Sequence, residues 1–485
     1  MKFVVKLFPE MTIKSRPVRK RFIQRLQSNL KIILQRIEPN IKVSGLWDRV
    51  DIDCPPQAAA RYNDIVMALS DTSGIAHVIE VQDYPLKDFT QVLEIVKNLW
   101  SQRLIGKRFV VRVKRTGQHD FTSTDMERYL GFGLLQQTQA LRVDLHKPEV
   151  TINLEVKEDR VLLVERRIQG IGGYPQSSQE NVVSLISGGF DSIVATYLTM
   201  KRGAKTHFLF FNLGGAAHEA AVKQVSYYLW NKFGSSARVK FICVPFEEVV
   251  GEILQNVHHS HMGVVLKRMM FRAAEQMAIK VAAEALITGE SISQVSSQTL
   301  TNLGVIDRVT EVLVLRPLIT YDKQDIIDLA TKIGAYEFAA SMPEYCGVVS
   351  DRPTVRAQLK RVEEEEQEFN FDVLEDALAN ASVDNIDTVV DEFKTNGSLP
   401  PQQRLQTNDV VVDVRTDDEQ QKKPLNLPGV EIIMVPFFQL SKQFLNFDQS
   451  RNYLLYCEQG VMSQLHALHF KDQGFENVGV YRPKA

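Results

Sequence analysis

A carboxylate and a thiol in this 485-residue chain stand in settings that suit them to chemistry. Asp191 lies within Ser187-Gly188-Gly189-Phe190-Asp191-Ser192, and Cys457 precedes Glu458-Gln459-Gly460-Val461-Met462-Ser463. Adjacent glycines let backbone N–H groups approach an oxyanion closely, and a helix start beyond them adds partial positive charge. Such a loop cradles phosphate. It is not a Walker A motif, because no Gly-Lys-Ser/Thr follows the glycines. Asp191, a hard oxygen ligand beside the phosphates, suits a role with Mg²⁺ or in activation. Cys457 is expected on a strand-to-helix loop, where converging N–H groups stabilise a thiolate or a persulfide.

Both groups need a strand before them and a helix after them. Asn181-Val182-Val183-Ser184-Leu185-Ile186 is an apolar, β-branched run that predicts a buried strand, and Ile193–Leu198 opens a helix closed by Arg202-Gly203. Arg451–Tyr456 predicts another buried strand running into Cys457. From Asn181 to about Gly334, strands 181–186, 205–212, 239–245, 285–288 and 312–316 alternate with helices 192–202, 217–233, 246–258, 263–283 and 322–333. That alternation predicts a parallel sheet wound on both faces. Upstream, residues 3–52 read as strand, helix, strand, strand, and residues 61–165 as a second α/β block. Gly170–Ser178 has linker composition, and Asn396-Gly397-Ser398-Leu399-Pro400-Pro401 marks a break before a smaller α/β unit.

A hydrophobic content of 44% supports real cores, and no stretch is long and apolar enough for a membrane span. The opening Met1–Lys6 is too short and too soon charged for a signal peptide. Four cysteines without Cys-x-x-Cys argue against a disulfide scaffold or structural zinc, so a reducing, cytoplasmic setting is expected. Cys54 and Cys243, in or beside apolar strands, read as structural. His258-His259-Ser260-His261 reads as an exposed loop lacking acidic partners, and no metal-ligand set is expected.

The net charge of -2 is unevenly spread. Residues 1–40 hold ten Lys/Arg against Glu10 and Glu38, while residues 360–395 hold twelve acidic side chains against Lys360, Arg361 and Lys394. A polyanionic partner at the front end follows, with the acidic run Glu363–Glu366 on an exposed helix. Phe109–His119 alternates apolar and cationic positions, so Arg112 and Lys114 face outward while the other face packs. With Lys107, Arg108 and Arg115 they make a set that tracks a phosphate backbone without reading bases.

Ser-Gly-Gly-x-Asp-Ser resembles the pyrophosphate (PP) loop of ATP-pyrophosphatases, enzymes that cleave ATP between the α and β phosphates. The basic block looks like a THUMP domain of RNA-modifying enzymes, following a ferredoxin-like unit. Glu458–Ser463 is similar to the active-site loop of rhodanese domains, supported by Asp413, Arg415, Pro428-Gly429 and a final strand at Val478–Tyr481. In this order they resemble the tRNA 4-thiouridine synthetase (tRNA sulfurtransferase) family across nearly the whole chain. Phe211–Glu219, Val295–Leu303 and Met342–Gly347 also look like that family's.

The resemblance implies a multidomain α/β protein: a ferredoxin-like domain at 1–60, THUMP at 61–165, a doubly wound parallel-sheet PP-loop domain with acidic connector at 175–395, and rhodanese at 404–485. It implies nucleotide contacts from Leu185, Ile186, Ser187, Gly188, Gly189, Asp191, Ser192, Lys267, Gly289 and Gln298, and catalytic parts for Asp191, Lys323, Cys346 and Cys457. ATP and Mg²⁺ are the implied cofactors. Implied partners are tRNA, a cysteine desulfurase as persulfide donor and a sulfur-carrier protein for thiazole synthesis. The family pattern joins Cys346 and Cys457 in a disulfide after transfer, leaving open direct persulfide attack or released sulfide. Three rivals stand beside it. A PP-loop ligase joining nitrogen to tRNA leaves Cys457 without purpose, and a thiazole sulfur relay needs only the tail. An RNA-binding scaffold with a decayed nucleotide site is disfavoured by the intact Ser187–Ser192.

Overall fold

A computed structural model of the chain describes residues 1–213, 215–340, 342, 353–389, 401–406, 408–415, 420–421, 423–435, 440, 443–457, 463, 466–467, 470–471 and 474–483. Two units divide it: Met1–Ser178 with Lys201–Gly203, and Gln179–Met200 with Ala204–Ala485.

In the first unit the elements run β1 (Lys2–Leu7), α1 (Pro9–Thr12), α2 (Arg16–Ile37), β2 (Lys42–Gly45), β3 (Arg49–Asp53), α3 (Tyr62–Ser70) and β4 (Ile75–Pro85). After them come α4 (Phe89–Leu104), β5 (Arg108–Thr116), α5 (Ser123–Gln137), β6 (Arg142–Val143), β7 (Val150–Lys157) and β8 (Arg160–Gly172). One eight-stranded sheet of order β2-β3-β1-β4-β8-β7-β5-β6 contains every strand of this unit. Strand period 2 sorts its residues. Phe3, Val5 and Leu7 join Phe22, Leu26 and Leu30 of α2 in one core, while Val111, Val113 and Leu154 join Val92, Val96 and Leu130 of α4 and α5 in another. Val4, Ile79, Val81 and Leu162 form a separate small apolar cluster. The sheet runs unbroken past residue 60, because β4 pairs β1 on one side and β8 on the other.

Residues 170–178 are a correction to the linker reading. β8 continues to Gly172, Tyr174 is 6% exposed, and Asn29 Nδ2 donates to the Gln176 carbonyl at 3.0 Å. A Cβ at Gly170 would stand 2.3 Å from the Ile75 carbonyl oxygen, so this glycine serves close approach rather than slack.

The second unit opens with β9 (Asn181–Leu185), α6 (Phe190–Lys201), β10 (Lys205–Asn212), α7 (Gly215–Leu229), β11 (Lys240–Pro245), α8 (Glu247–Asn256), α9 (Met262–Lys280) and β12 (Ala285–Ile287). It continues through α10 (Leu300–Ile306), β13 (Leu313–Leu315), α11 (Lys323–Lys332), α12 (Tyr336–Ala340), α13 (Leu359–Gln367), α14 (Asp372–Ala379) and β14 (Ser382–Asn385). The sheet order is β13-β12-β9-β10-β11-β14. Its first five members are parallel, and helices cover both faces: Val183, Leu209 and Leu286 pack with α8 and α9, whereas Val182, Ala285 and Ile287 pack with α6 and α11. β14, from the acidic connector, adds an antiparallel edge that apolar alternation did not predict. Beyond it, β15 (Asp409–Asp413), β16 (Glu431–Met434), β17 (Asn452–Tyr456) and β18 (Val478–Val480) form a parallel sheet of order β16-β15-β17-β18.

The acidic run lies on α13 with Glu363 and Glu364 exposed as expected, but Glu366 departs from that reading. Glu366 is 5% exposed and accepts from Arg268 Nε at 2.6 Å, Arg268 Nη2 at 2.8 Å and both Arg272 Nη atoms. His258 and His259 are exposed as expected of their loop, but His261 is 9% exposed and meets Glu365 through Nδ1 at 2.6 Å, an acidic partner that reading lacked. Arginines on α9 override the solvation that charge composition alone suggests. Burial alone would raise the Glu366 carboxyl pKa, but the hydrogen bonds and charges of the two arginines outweigh it and hold it below the usual carboxylate range. Glu366→Gln strands Arg268 and should lower the unit's urea-unfolding free energy by about 3 kcal/mol. The wild-type advantage, complete above the unfolded carboxyl value of about 4.3, should fade as pH falls through the folded value; an advantage independent of pH refutes this account.

Candidate active site

The expected phosphate loop lies where the sheet reverses direction of growth. Strand order moves from β9 to β10 and β11 on one side and to β12 and β13 on the other, the kind of switch point at which open α/β sheets bind ligands beyond the carboxyl ends of their strands. Ile186 N still bonds the Leu209 carbonyl at 2.8 Å, and then the chain turns through Gly188 at φ +84° into α6. Ser192, 7% exposed, ties the turn: its Oγ donates to the Gly189 carbonyl at 3.0 Å and accepts from Ser187 N at 3.2 Å. His218, whose pKa burial lowers, donates Nε2–H to the Ser187 carbonyl at 3.3 Å. Beneath, Ser184 and Thr196 hydroxyls bond at 2.7 Å, joining β9 to α6.

Gly289 follows β12 and lies against the same helix start. A Cβ there would stand 2.4 Å from the Asp191 carbonyl carbon and 2.7 Å from Ser192 N. Asp191 Oδ1 accepts from Lys323 Nζ at 2.8 Å and Oδ2 from Gln294 Nε2 at 2.7 Å. Lys267, from α9, donates to Glu290, and Gln298 is 8% exposed with its Oε1 3.4 Å from Ser291 N. The structure thus gathers Ser187, Gly188, Gly189, Asp191, Ser192, Gly289 and Lys323 in one place, with Lys267 reaching the Gly289 loop through Glu290. Leu185 ends β9, and Ile186, the next residue, is 2% exposed.

Glu290, Gln294, Arg316 and His218 belong to this neighbourhood and escaped the sequence reading. An acid directly after Gly289 at a strand end was the available signal for Glu290. Met342 lies against the loop too, 2.3 Å from where a Gly188 Cβ would be. Cys346 lies outside the described residues. Among those residues no group of three His, Cys, Asp or Glu could hold a metal. Mg²⁺ normally needs only one or two carboxylates besides phosphate and water, and Asp191 at the loop fits that requirement.

Cys457 follows β17 and is 7% exposed. Its Sγ accepts from Ser463 N at 3.3 Å and lies 3.4 Å from Ser463 Oγ. Supporting it, Arg415 Nε and Nη2 reach Asp413 at 2.9 and 2.7 Å, and the guanidinium carbon lies 5.1 Å from the centroid of the Tyr456 ring. Burial pushes the thiols of Cys54 and Cys243 up to about 11 and about 12, which suits inert packing.

The basic set of β5 does not form one stripe. Arg112 and Lys114 share a face and are exposed, and Arg112 Nη2 donates to the Leu145 carbonyl at 3.2 Å. Arg115 points to the opposite side, 3.3 Å from His119 Nδ1. Lys107 and Arg108 both pair with Glu149, at 3.6 and 3.2 Å.

A ferredoxin-like and THUMP front, a phosphate-loop parallel sheet and a rhodanese tail define a class of multidomain RNA-modifying α/β enzymes. Family patterns described as ThiI ferredoxin-like domain, THUMP domain, Thiamine biosynthesis protein (ThiI) and Rhodanese-like domain match residues 2–78, 87–164, 177–371 and 402–482. The tRNA sulfurtransferase of Saccharophagus degradans is 50% identical over 483 residues, and that of Shewanella sp. (strain W3-18-1) 49% over 487; each alignment spans 100% of both chains. The crystal structure of a 4-thiouridine synthetase–RNA complex with bound ATP aligns with TM-score 0.69 and 26% identity, covering 79% of this chain and 99% of that one. PH1313 from Pyrococcus horikoshii shares the fold at TM-score 0.53 and 16% identity, covering 69% of this chain and 100% of its own.

This chain belongs to the tRNA sulfurtransferase family and is an enzyme that transfers sulfur to tRNA.

Gly289→Ala should force the Gly289 loop off α6. A displacement of about 1 Å at a reacting centre can cost about 100-fold in rate, so tRNA thiolation should fall by that order. Binding of tRNA in a filter assay should be unchanged; normal thiolation would show that the close packing is dispensable.

Proposed function

We propose that the enzyme converts a tRNA uridine, at tRNA position 8, to 4-thiouridine by ATP-dependent transfer of persulfide sulfur. The observation that carries this reading is the convergence of Asp191, Lys323 and the Gly188-Gly189 turn beside Gly289. The structural neighbour described as a 4-thiouridine synthetase–RNA complex with bound ATP supports it.

Uridine O4 is a poor leaving group. It attacks the α-phosphorus of ATP, pyrophosphate departs, N3 gives up its proton to solvent, and the uridine becomes an O4-adenylate. The Ser187–Ser192 loop holds the phosphates, and Lys267 and Lys323 offset the charge that builds there. Leu185, Ile186, Gly289 and Gln298 make the remaining nucleotide contacts. Asp191 would hold Mg²⁺, which neutralises phosphate charge when bound. Arg112 and Lys114, with Lys107, Arg108 and Arg115, bind the tRNA backbone.

Sulfur arrives as a persulfide on Cys457, loaded by a cysteine desulfurase. In one route its terminal sulfur attacks uridine C4 and AMP leaves. Cys346 then attacks Cys457 Sγ, releasing 4-thiouridine and forming the Cys346–Cys457 disulfide. In the other, Cys346 attacks first, frees sulfide and forms the same disulfide, and sulfide displaces AMP. Either way a two-electron reductant resets the cysteines. The Ser463 N–H donated to Cys457 Sγ supports a sulfur anion at that position. We place the work in the cytoplasm, divided among the ferredoxin-like, THUMP, PP-loop and rhodanese domains of residues 1–60, 61–165, 175–395 and 404–485. A second reading, sulfur delivery through a carrier protein for thiazole synthesis, is favoured by the match over 177–371 to a family described as a thiamine biosynthesis protein.

Cys457→Ser should abolish thiolation yet leave ATP-dependent adenylation of tRNA intact. Asp191→Ala should stop adenylation while labelled persulfide still accumulates on Cys457. Mass spectrometry of tRNA and protein reads both; loss of both activities in either variant contradicts the division of labour.

A further inference from the structure

Glu290 is a deeply enclosed charge directly after Gly289. Its side chain is 4% exposed and accepts from Lys267 Nζ, from Arg316 Nε at 2.7 Å and from Thr288 Oγ1 at 3.0 Å. Arg316 spends its other nitrogens on Asp307, at 3.0 and 2.6 Å. The carboxylate comes one residue after Gly289, whose backbone lies on the Asp191–Ser192 peptide. Lys267 is therefore tied to the chain segment that touches the phosphate loop, although it arises from α9.

We propose that Glu290 is a positioning residue for the sulfur-transfer reaction, its buried carboxylate holding Lys267 Nζ at the nucleotide loop with Arg316 as second clamp. The inference rests on reading Lys267 as a nucleotide contact. Burial would raise the Glu290 carboxyl pKa, but Lys267 and Arg316 hold it at about 2, so the anchor stays ionised throughout the working pH range. The neighbouring pair behaves differently. Lys323 and Asp191 are 45% and 24% exposed, so solvent and phosphate can compete for that contact. One lysine is held by a buried partner and the other is free to exchange, which suits a fixed contact beside an adjustable one.

The test measures ATP-dependent adenylation of a tRNA transcript by the full chain carrying Glu290→Gln, Lys267→Met or both. Glu290→Gln should raise the KM for ATP about tenfold, the scale of a lost charge-assisted contact, without changing the tRNA Kd or persulfide loading of Cys457. In the Lys267→Met background the same change should cost less than about twofold, because its effect runs through the lysine. An unaltered KM, or penalties that multiply in the double variant, overturns the proposal. An unaltered KM in Lys267→Met alone refutes instead the role of Lys267. Should Glu290→Gln not fold, Glu290→Asp keeps the charge but retracts it by one methylene; a wild-type KM there overturns the proposal equally.

Discussion

Contact between Gly289 and the first turn of α6 is the constraint on which the central site depends. β9 and β12 are neighbours, so the loops leaving their carboxyl ends must lie side by side. A side chain at 289 would overlap the Asp191 backbone and push those loops apart. Because it is absent, Asp191 from the first turn of α6 and Glu290 from the loop after β12 come within reach of lysines from two further helices, α11 and α9. The charged groups are thus assembled by backbone proximity at the switch in strand order, rather than by any single motif.

Internal ion pairs then hold that assembly in register. Arg268 and Glu366 tie α13 to α9, Glu290 and Arg316 join the ends of β12 and β13, and Asp413 and Arg415 brace the strand beside Tyr456. Buried pairs of this kind contribute little net stability, since desolvation offsets most of the Coulomb gain. Their worth lies in direction: a bidentate guanidinium–carboxylate pair accepts one geometry and penalises displacement. The acidic connector is accordingly fastened to the helix that carries Lys267. In the front sheet the organising force is apolar instead. There Arg112 and Lys114 are left on one face of β5 as the consequence of strand alternation, with Val111 and Val113 directed to the core.

Much was legible along the chain. The run Asn181–Leu185, the paired glycines and the helix after them specify a strand, a tight turn and an anion cradle by local rules of propensity and period. The same rules placed Cys457 after an apolar strand and Arg112 and Lys114 on an exposed face. Where a charge belongs was less legible. Glu363–Glu366 reads as a solvated run because composition counts neighbours in sequence, whereas Arg268 and Arg272 lie almost a hundred positions away. Gly170–Ser178 reads as slack for a related reason: glycine marks both freedom and close approach, and only the Ile75 carbonyl distinguishes them.

Local chemistry therefore determined which segments become strands and helices, where phosphate and sulfur chemistry could reside, and which cysteines are inert. Tertiary structure decided the partners. That Lys323 meets Asp191, that Glu290 is shared between Lys267 and Arg316, and that His261 finds Glu365 are outcomes of strand order and helix packing. The physical reason is range. Dihedral preference and hydrophobic period act over a few residues and are written in the chain, whereas a hydrogen bond acts over about 3 Å of space, a distance that exists only once the sheet has closed.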